Sequence, residues 1–263
     1  MDQALNRTAE PASDTTQRYV LAIASHLTLL LAWYLFVKFG NVPKFVMPSP
    51  EATFASLLDG SYNWWGNALV TGTEIFAGYF LALVVGVGLA LVFTWSKPLE
   101  QFFLPLLVSL NMIPKVALGP LIIVWFKYGV FPNSMMAFSI CVFPILLTTA
   151  RGLREVEPDL LDLVRALKGS RWQLFLKIQL PGSLPYIFSG MKVAAILAVA
   201  GAIVGEFLGS DKGLGYLMLQ VQVTLDTPAM FMAVILITLI GVVLYGIVLA
   251  LERLLVPKDA RLE

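Results

Sequence analysis

Six runs of predominantly apolar residues, at 19–39, 76–95, 99–126, 134–150, 187–208 and 229–251, leave this chain few ways to fold. A helix needs about 20 such residues to cross roughly 30 Å of hydrocarbon. With 58% hydrophobic and 13% charged residues and a mean hydropathy of +0.81, the chain carries more oily surface than one water-soluble core could hide. The expected architecture is an all-α integral membrane protein of six transmembrane helices. An even number of crossings places both termini on one side.

The side follows from Lys and Arg, which resist translocation while acidic residues matter little. Arg7, Arg18, Lys97, Arg151, Arg154, Arg165, Lys168, Arg171, Lys177, Arg253, Lys258 and Arg261 fall together on one side, against Lys38, Lys44, Lys127 and Lys212 on the other. Both termini are therefore expected in the cytoplasm. The organisation expected is a cytoplasmic tail at 1–18, one transmembrane domain at 19–255, and a second tail at 256–263. Within the domain lie an outer segment at 41–65 and a cytoplasmic loop at 151–185. The first tail mixes Asp2, Glu10 and Asp14 with its arginines, unlike a cleavable signal peptide. A net charge of +1 offers no basic surface for nucleic acid.

A single cysteine, Cys141, allows neither an internal disulfide nor a cysteine metal site, and it reads as a small hydrophobe. The lone His26 has no acid or second histidine at helical spacing, so neither a metal site nor a proton relay is expected there. The scattered methionines read as packing.

Three places depart from a plain bundle. In the outer segment, Pro43, Pro48 and Pro50 stop the first helix, and Ser49 is placed to cap a short helix from 50 to 58 that would lie on the membrane surface. The third run is interrupted at Asn111-Met112-Ile113-Pro114-Lys115 and again at Gly119-Pro120. Breaks in hydrocarbon are tolerated only where protein or water satisfies the freed backbone, so Asn111, Met112 and Lys115 are candidates for lining a translocation path, weighed evenly against an ordinary proline kink. The fifth run begins near Lys192, close enough to the cytoplasmic end to snorkel, and ends near Glu206, a candidate for the outer end of the path. Glu74 falls just before the second run and is expected at the outer interface.

The loop at 151–185 does not read as disordered. Pro158 suits a first helical turn, Asp159 complements its positive end, and Leu160, Leu161, Val164 and Leu167 recur at helical spacing. Gly169 and Ser170 end this helix and begin another carrying Trp172, Phe175 and Ile178, and Leu180-Pro181-Gly182 closes the unit. Such an amphipathic knuckle either rests on headgroups or inserts into a groove of a cytoplasmic partner.

Here the sequence resembles the permeases of binding-protein-dependent ABC importers, whose loop signature is Glu-Ala-Ala, three residues, Gly, nine residues, Ile, one residue, Leu-Pro. Asp162-Leu163-Val164 stands in the Glu-Ala-Ala place and Lys168 in the glycine place with Gly169 one step later, while Ile178 and Leu180-Pro181 fit in register. The surroundings look like the nitrate, sulfonate and taurine branch: Met47-Pro48-Ser49-Pro50, the stretch from Ile113 to Leu121, Phe143-Pro144-Ile145-Leu146, Gly190-Met191-Lys192, Gly205-Glu206-Phe207-Leu208-Gly209 and Gly213-Leu214-Gly215-Tyr216. The resemblance runs from about Lys44 to Val256.

It implies a type I importer permease working as a pair, with identical chains expected. Each copy would sit on an ATPase subunit, and a periplasmic or lipid-anchored binding protein would deliver a small, anionic solute. The chain holds no Gly-x-x-x-x-Gly-Lys-Ser/Thr phosphate loop, so ATP and magnesium would be bound by the partner, and no cofactor, metal or catalytic residue is expected here. Residues implied in the ATPase contact are Asp159, Asp162, Arg165, Ala166, Lys168, Gly169, Ser170, Arg171 and Trp172, the last anchoring the knuckle to the membrane helices. A secondary transporter driven by an ion gradient is the alternative, but it calls for an internal repeat and a mid-membrane titratable relay that the sequence does not display. An intramembrane hydrolase would need a Ser/His, paired-Asp or His-Glu-x-x-His arrangement, which is absent.

Overall fold

The computed structural model describes residues 12–155, 158–258 and 261, and their side chains except those of 12–16, 18, 19, 123, 158, 161 and 165. Residues 1–11 of the expected first tail and 259, 260, 262 and 263 of the second lie outside the described residues. The chain runs α1 (Ala12–Phe39), α2 (Pro50–Ala55), α3 (Trp64–Trp95), α4 (Lys97–Met112), α5 (Lys115–Phe126), α6 (Val130–Gly152), α7 (Pro158–Ala166), α8 (Arg171–Leu174), α9 (Leu180–Gly209), α10 (Leu214–Val223) and α11 (Thr227–Leu255). Among the described residues no strand occurs.

Five helical stretches are long and apolar enough to cross a membrane: Val20–Phe39, Gly60–Trp95, Val130–Gly152, Arg171–Gly209 and Thr227–Leu255. The pair α4 and α5, bent by 87°, is the candidate for a sixth. Ile113 is extended (φ −63, ψ 125), as a residue before proline prefers to be, and this places the break at Ile113-Pro114. The second expected interruption does not form. Pro120 sits inside α5, and the backbone at Gly119 lies directly against the Leu208 side chain, so the Gly-Pro pair makes a close contact rather than a break.

Two boundaries also move. α3 starts at Trp64 instead of 76, because its polar first turns are satisfied by the protein: Asn67, Thr71 and Glu74 each find a partner there. Leu180-Pro181-Gly182 is the first turn of α9 rather than the close of the loop. A π-helical turn, Phe175–Gln179, joins α8 to α9.

The core is made by α3, α6 and α9, which approach closely because small residues recur along them. Gly78, Ala82, Gly86 and Ala90 face inward on α3, and Gly190, Ala194, Ala198 and Ala202 on α9. Ala137 of α6 is the meeting point: a Cβ added at Gly78 would come 2.6 Å from its Cβ, and one at Gly201 2.6 Å from its Cα. In lipid, where burial of oil in oil gives little drive, this backbone proximity is what holds helices together. Cys141 is buried here, its thiol donating to the Ala194 carbonyl at 3.2 Å.

Two ion pairs tie helices together. Lys192 does not snorkel alone; its ammonium lies 3.0 Å from Glu252 Oε1 on α11. Arg154, following α6, pairs with Glu100 in the first turn of α4. At the opposite end, the outer segment is pinned to the start of α11: Thr227 Oγ1 donates to the Lys44 carbonyl (2.7 Å), the Tyr62 hydroxyl donates to Asp226, and Trp33 Nε1 of α1 donates to the Pro48 carbonyl (3.0 Å). Ser49 caps α2 through Ala52 N–H (3.3 Å), and a 3-10 turn, Ser56–Leu58, completes the expected short helix. α2 packs on α11 with Thr53 buried. Asp59 beyond it accepts from the Ser61 N–H, which holds its carboxyl below the usual carboxylate range.

Candidate functional site

The knuckle at the basic end of the bundle is built by local rules that survive without tertiary support. Among the described residues α7 packs extensively against no other element, and Leu163 and Leu167 are 53% and 74% exposed. Asp159, Asp162, Ala166, Lys168, Ser170, Arg171 and Trp172 are all exposed and Gly169 partly so. The side chain of Arg165 lies outside the described residues.

α7 ends in a Schellman turn, Gly169 N–H bonding the Val164 carbonyl at 2.9 Å, and the left-handed residue this turn needs is Lys168 (φ 51). The position where the signature has glycine is therefore the position where the backbone wants one. A side chain in that conformation costs about 1–2 kcal/mol. Lys168→Gly is expected to raise the knuckle's local stability by about 1 kcal/mol, seen as slower amide exchange over 160–174; unchanged exchange would show that the turn is not strained. Ser170 then opens α8 with a capping box: its hydroxyl accepts from Gln173 N–H (3.2 Å), and Gln173 Oε1 accepts from Ser170 N–H (2.8 Å).

Trp172 turns back toward the membrane helices. Its ring lies 6.1 Å from that of Trp95 at the end of α3, and both pack on buried Phe175, at 5.6 and 5.4 Å. Phe175 in turn belongs to a core cluster with Phe93, Leu146 and Leu153, so displacement of the knuckle is felt by α3 and α6.

The candidate path residues divide into two groups. Asn111, Met112 and Lys115 come together at the α4–α5 bend, with Met112 76% exposed. Lys115 Nζ donates to the carbonyls of Leu110 (3.2 Å) and Asn111 (3.3 Å), so it caps the broken end of α4. Asn111 and Lys115 border a cavity of about 350 Å³ enclosed by α3, α4, α5 and α6.

Glu206 is elsewhere, 1% exposed. One carboxylate oxygen accepts from Thr71 Oγ1 (2.6 Å) and the other from the backbone N–H groups of Gly215 (2.5 Å) and Tyr216 (3.1 Å). It thus caps α10, whose unpaired N–H groups and positive end suit a carboxylate. Thr71 Oγ1 also accepts from Leu214 N–H (2.8 Å), and Asn67 Oδ1 from Gly213 N–H (2.9 Å). Gly213 has φ 110, and a Cβ there would strike the Glu206 carboxylate. Glu74, expected at the interface, is fully buried instead: Asn133 Nδ2 donates to it at 2.8 Å and its carboxyl lies beside that of Glu206. Nothing in the hydrophobic pattern marks this network or α10, which has only 10 residues; the signal available was glycine at 213 and 215 soon after a glutamate that ends an apolar run.

Long apolar helices, one pair of them bent at Ile113-Pro114, and an exposed loop helix are the arrangement of a membrane permease. The fold is that of the methionine ABC transporter MetNI in its inward-facing conformation, with a TM-score of 0.57 at 20% identity over 70% of this chain and 94% of that one. The chain belongs to the family of binding-protein-dependent transport system inner membrane components, whose model matches residues 75–257. It is 35% identical to a probable ABC transporter permease of Haemophilus influenzae (82% of this chain, 89% of the relative). It is 34% identical to the riboflavin permease of Chloroflexus aurantiacus (89% and 88%) and 30% identical to the formylaminopyrimidine permease of Halalkalibacterium halodurans (88% and 92%). Sulfonate and nitrate permeases are also among its relatives. The chain is an inner-membrane permease of an ABC importer for small solutes.

Proposed function

We propose that two copies of this chain form the translocation path of an ATP-driven importer, with the knuckle seated in an ATPase subunit that binds ATP and magnesium, and with both termini cytoplasmic. The observation that carries this reading is α7: an exposed amphipathic helix closed by a Schellman turn and a capping box, and tied through Trp172 and Phe175 to the core of the bundle. Docked in a groove, it passes motion of the ATPase into α3, α6 and α9 rather than dissipating it. Asp159, Asp162, Arg165, Ala166, Lys168 and Gly169 supply the ATPase contact, with Ser170, Arg171 and Trp172 holding its base.

The second copy covers α4 and α5, where Phe102, Leu106, Leu110, Val116, Val124 and Trp125 are exposed and where Asn111 and Lys115 need polar surroundings in the membrane. Asn111, Met112 and Lys115 then line the path, and Glu206 acts at its outer end by anchoring α10. The solute is a small molecule handed over by a periplasmic or lipid-anchored binding protein. The relatives named for formylaminopyrimidine and riboflavin favour a nitrogen heterocycle such as a pyrimidine precursor, and those named for sulfonates and nitrate favour a small anion.

The test is co-purification with the ATPase subunit, comparing the unaltered chain with Asp162→Lys and Gly169→Arg. Gly169→Arg also strains the turn, since a Cβ at 169 meets Val164 at 2.7 Å; Asp162→Lys inverts a charge at an exposed position. At least a tenfold loss of ATPase with Asp162→Lys, the permease still monodisperse, is expected. Undiminished association would contradict the docking.

A further inference from the structure

At the base of the knuckle, a cleft of about 590 Å³ lies between the end of α3 and α8, lined by Thr94, Trp95, Arg171, Trp172, Phe175 and Gln179. It adjoins a second cleft of about 810 Å³, which shares Thr94 and Gln179 and adds Lys97, Arg154 and the carboxylate of Glu100. Two features separate this place from an ordinary solvated surface. Trp95 and Trp172 are 61% and 57% exposed although their rings are held in place on Phe175, an arrangement in which an indole keeps one apolar face open at the end of a membrane-spanning helix. And among the described residues two of the four cations here have no ion-pair partner. Arg154 is paired with Glu100 and Arg151 with Glu155, but no carboxylate among the described residues is within ion-pair reach of Arg171 or Lys97.

Indoles sit at the level of lipid headgroups, guanidinium and ammonium groups hold phosphate oxygens, and basic pockets between helices on the cytoplasmic side hold anionic headgroups. We infer that this cleft binds the headgroup of an anionic glycerophospholipid. Its phosphate is held by Arg171 and Lys97, its glycerol region rests on Trp95 and Trp172, and its acyl chains run along exposed Val92 and Leu176. The lipid would fill the gap between knuckle and membrane and set the height at which α7 is presented. The inference rests on the membrane-spanning reading of the bundle but not on ATPase docking, because lipid retention is measured on the chain whether or not the ATPase binds.

The full chain, purified in mild detergent from a membrane extract, is exchanged into mixed micelles holding equal phosphatidylglycerol and phosphatidylcholine, and retained lipid is counted by native mass spectrometry. The unaltered chain is expected to retain phosphatidylglycerol at least tenfold over phosphatidylcholine. Lys97→Gln with Arg171→Gln should abolish that preference, and Lys97→Arg with Arg171→Lys should restore most of it. Equal retention of both lipids by the unaltered chain overturns the inference, as does a preference untouched by the double glutamine variant. Loss of ATPase from that variant with phosphatidylglycerol retention unchanged would assign these cations to the ATPase and overturn it too.

Discussion

Glu206→Ala is expected to loosen the α10 end of the bundle more than any other single truncation outside the small-residue core. The carboxylate accepts from Thr71, Gly215 and Tyr216, and each buried donor left without an acceptor costs about 1–3 kcal/mol. Water that could replace the acceptor is scarce at a site where Glu206 is 1% and Glu74 0% exposed. The Glu74 carboxyl, which lies beside Glu206 and is hydrogen-bonded to it, loses that partner as well. With three donors orphaned, a net loss of about 3 kcal/mol is expected. It would appear as a lower thermal midpoint in detergent and as protease cleavage near 210–213, with Glu206→Gln intermediate because its amide keeps one acceptor. An unchanged or raised midpoint would mean that the two acids destabilise the fold and that α10 is held by packing alone.

Lys192→Met should cost a comparable amount for a different reason. Lys192 and Glu252 form an ion pair at 3.0 Å with side chains 19% and 6% exposed, and removing one partner of a buried pair leaves an uncompensated charge worth about 3–5 kcal/mol. Replacing both with apolar residues of similar size is often neutral. Lys192→Met with Glu252→Leu is therefore expected to recover most of the stability lost by Lys192→Met. Thermal midpoints of the two single variants and the double variant give the coupling directly. Additive losses would show that the pair contributes no mutual stabilisation and that each residue acts through other contacts.

These two sites also mark where the sequence was readable and where it was not. Hydrophobic run length gave the crossings, and proline after Ile113 gave the break in the third, because both depend on local chemistry. Gly119-Pro120 misled for the same reason. Its local meaning is a break, and only the proximity of Leu208 from a distant helix reveals a packing contact. Lys192 read as a snorkelling residue because Glu252 is 60 residues away, and no spacing rule connects them. The polar start of α3 read as interface because Asn67, Thr71 and Glu74 find their partners on α6, α9 and the 210–216 turn. The knuckle, in contrast, was legible in its helix start, its turn and its Ser170 cap, which lie within the segment itself, but not in its end, since Leu180-Pro181-Gly182 runs on into α9. Even its departure from the family signature, lysine for glycine at 168, has a local meaning: the left-handed backbone at that position.

The most direct test of the account is uptake by proteoliposomes holding the chain with its ATPase, given the loaded binding protein outside and ATP inside. Uptake is expected to require internal ATP, to persist when ion gradients are collapsed, and to fall at least tenfold with Asp162→Lys. Uptake that proceeds without the ATPase and follows an imposed ion gradient would contradict it.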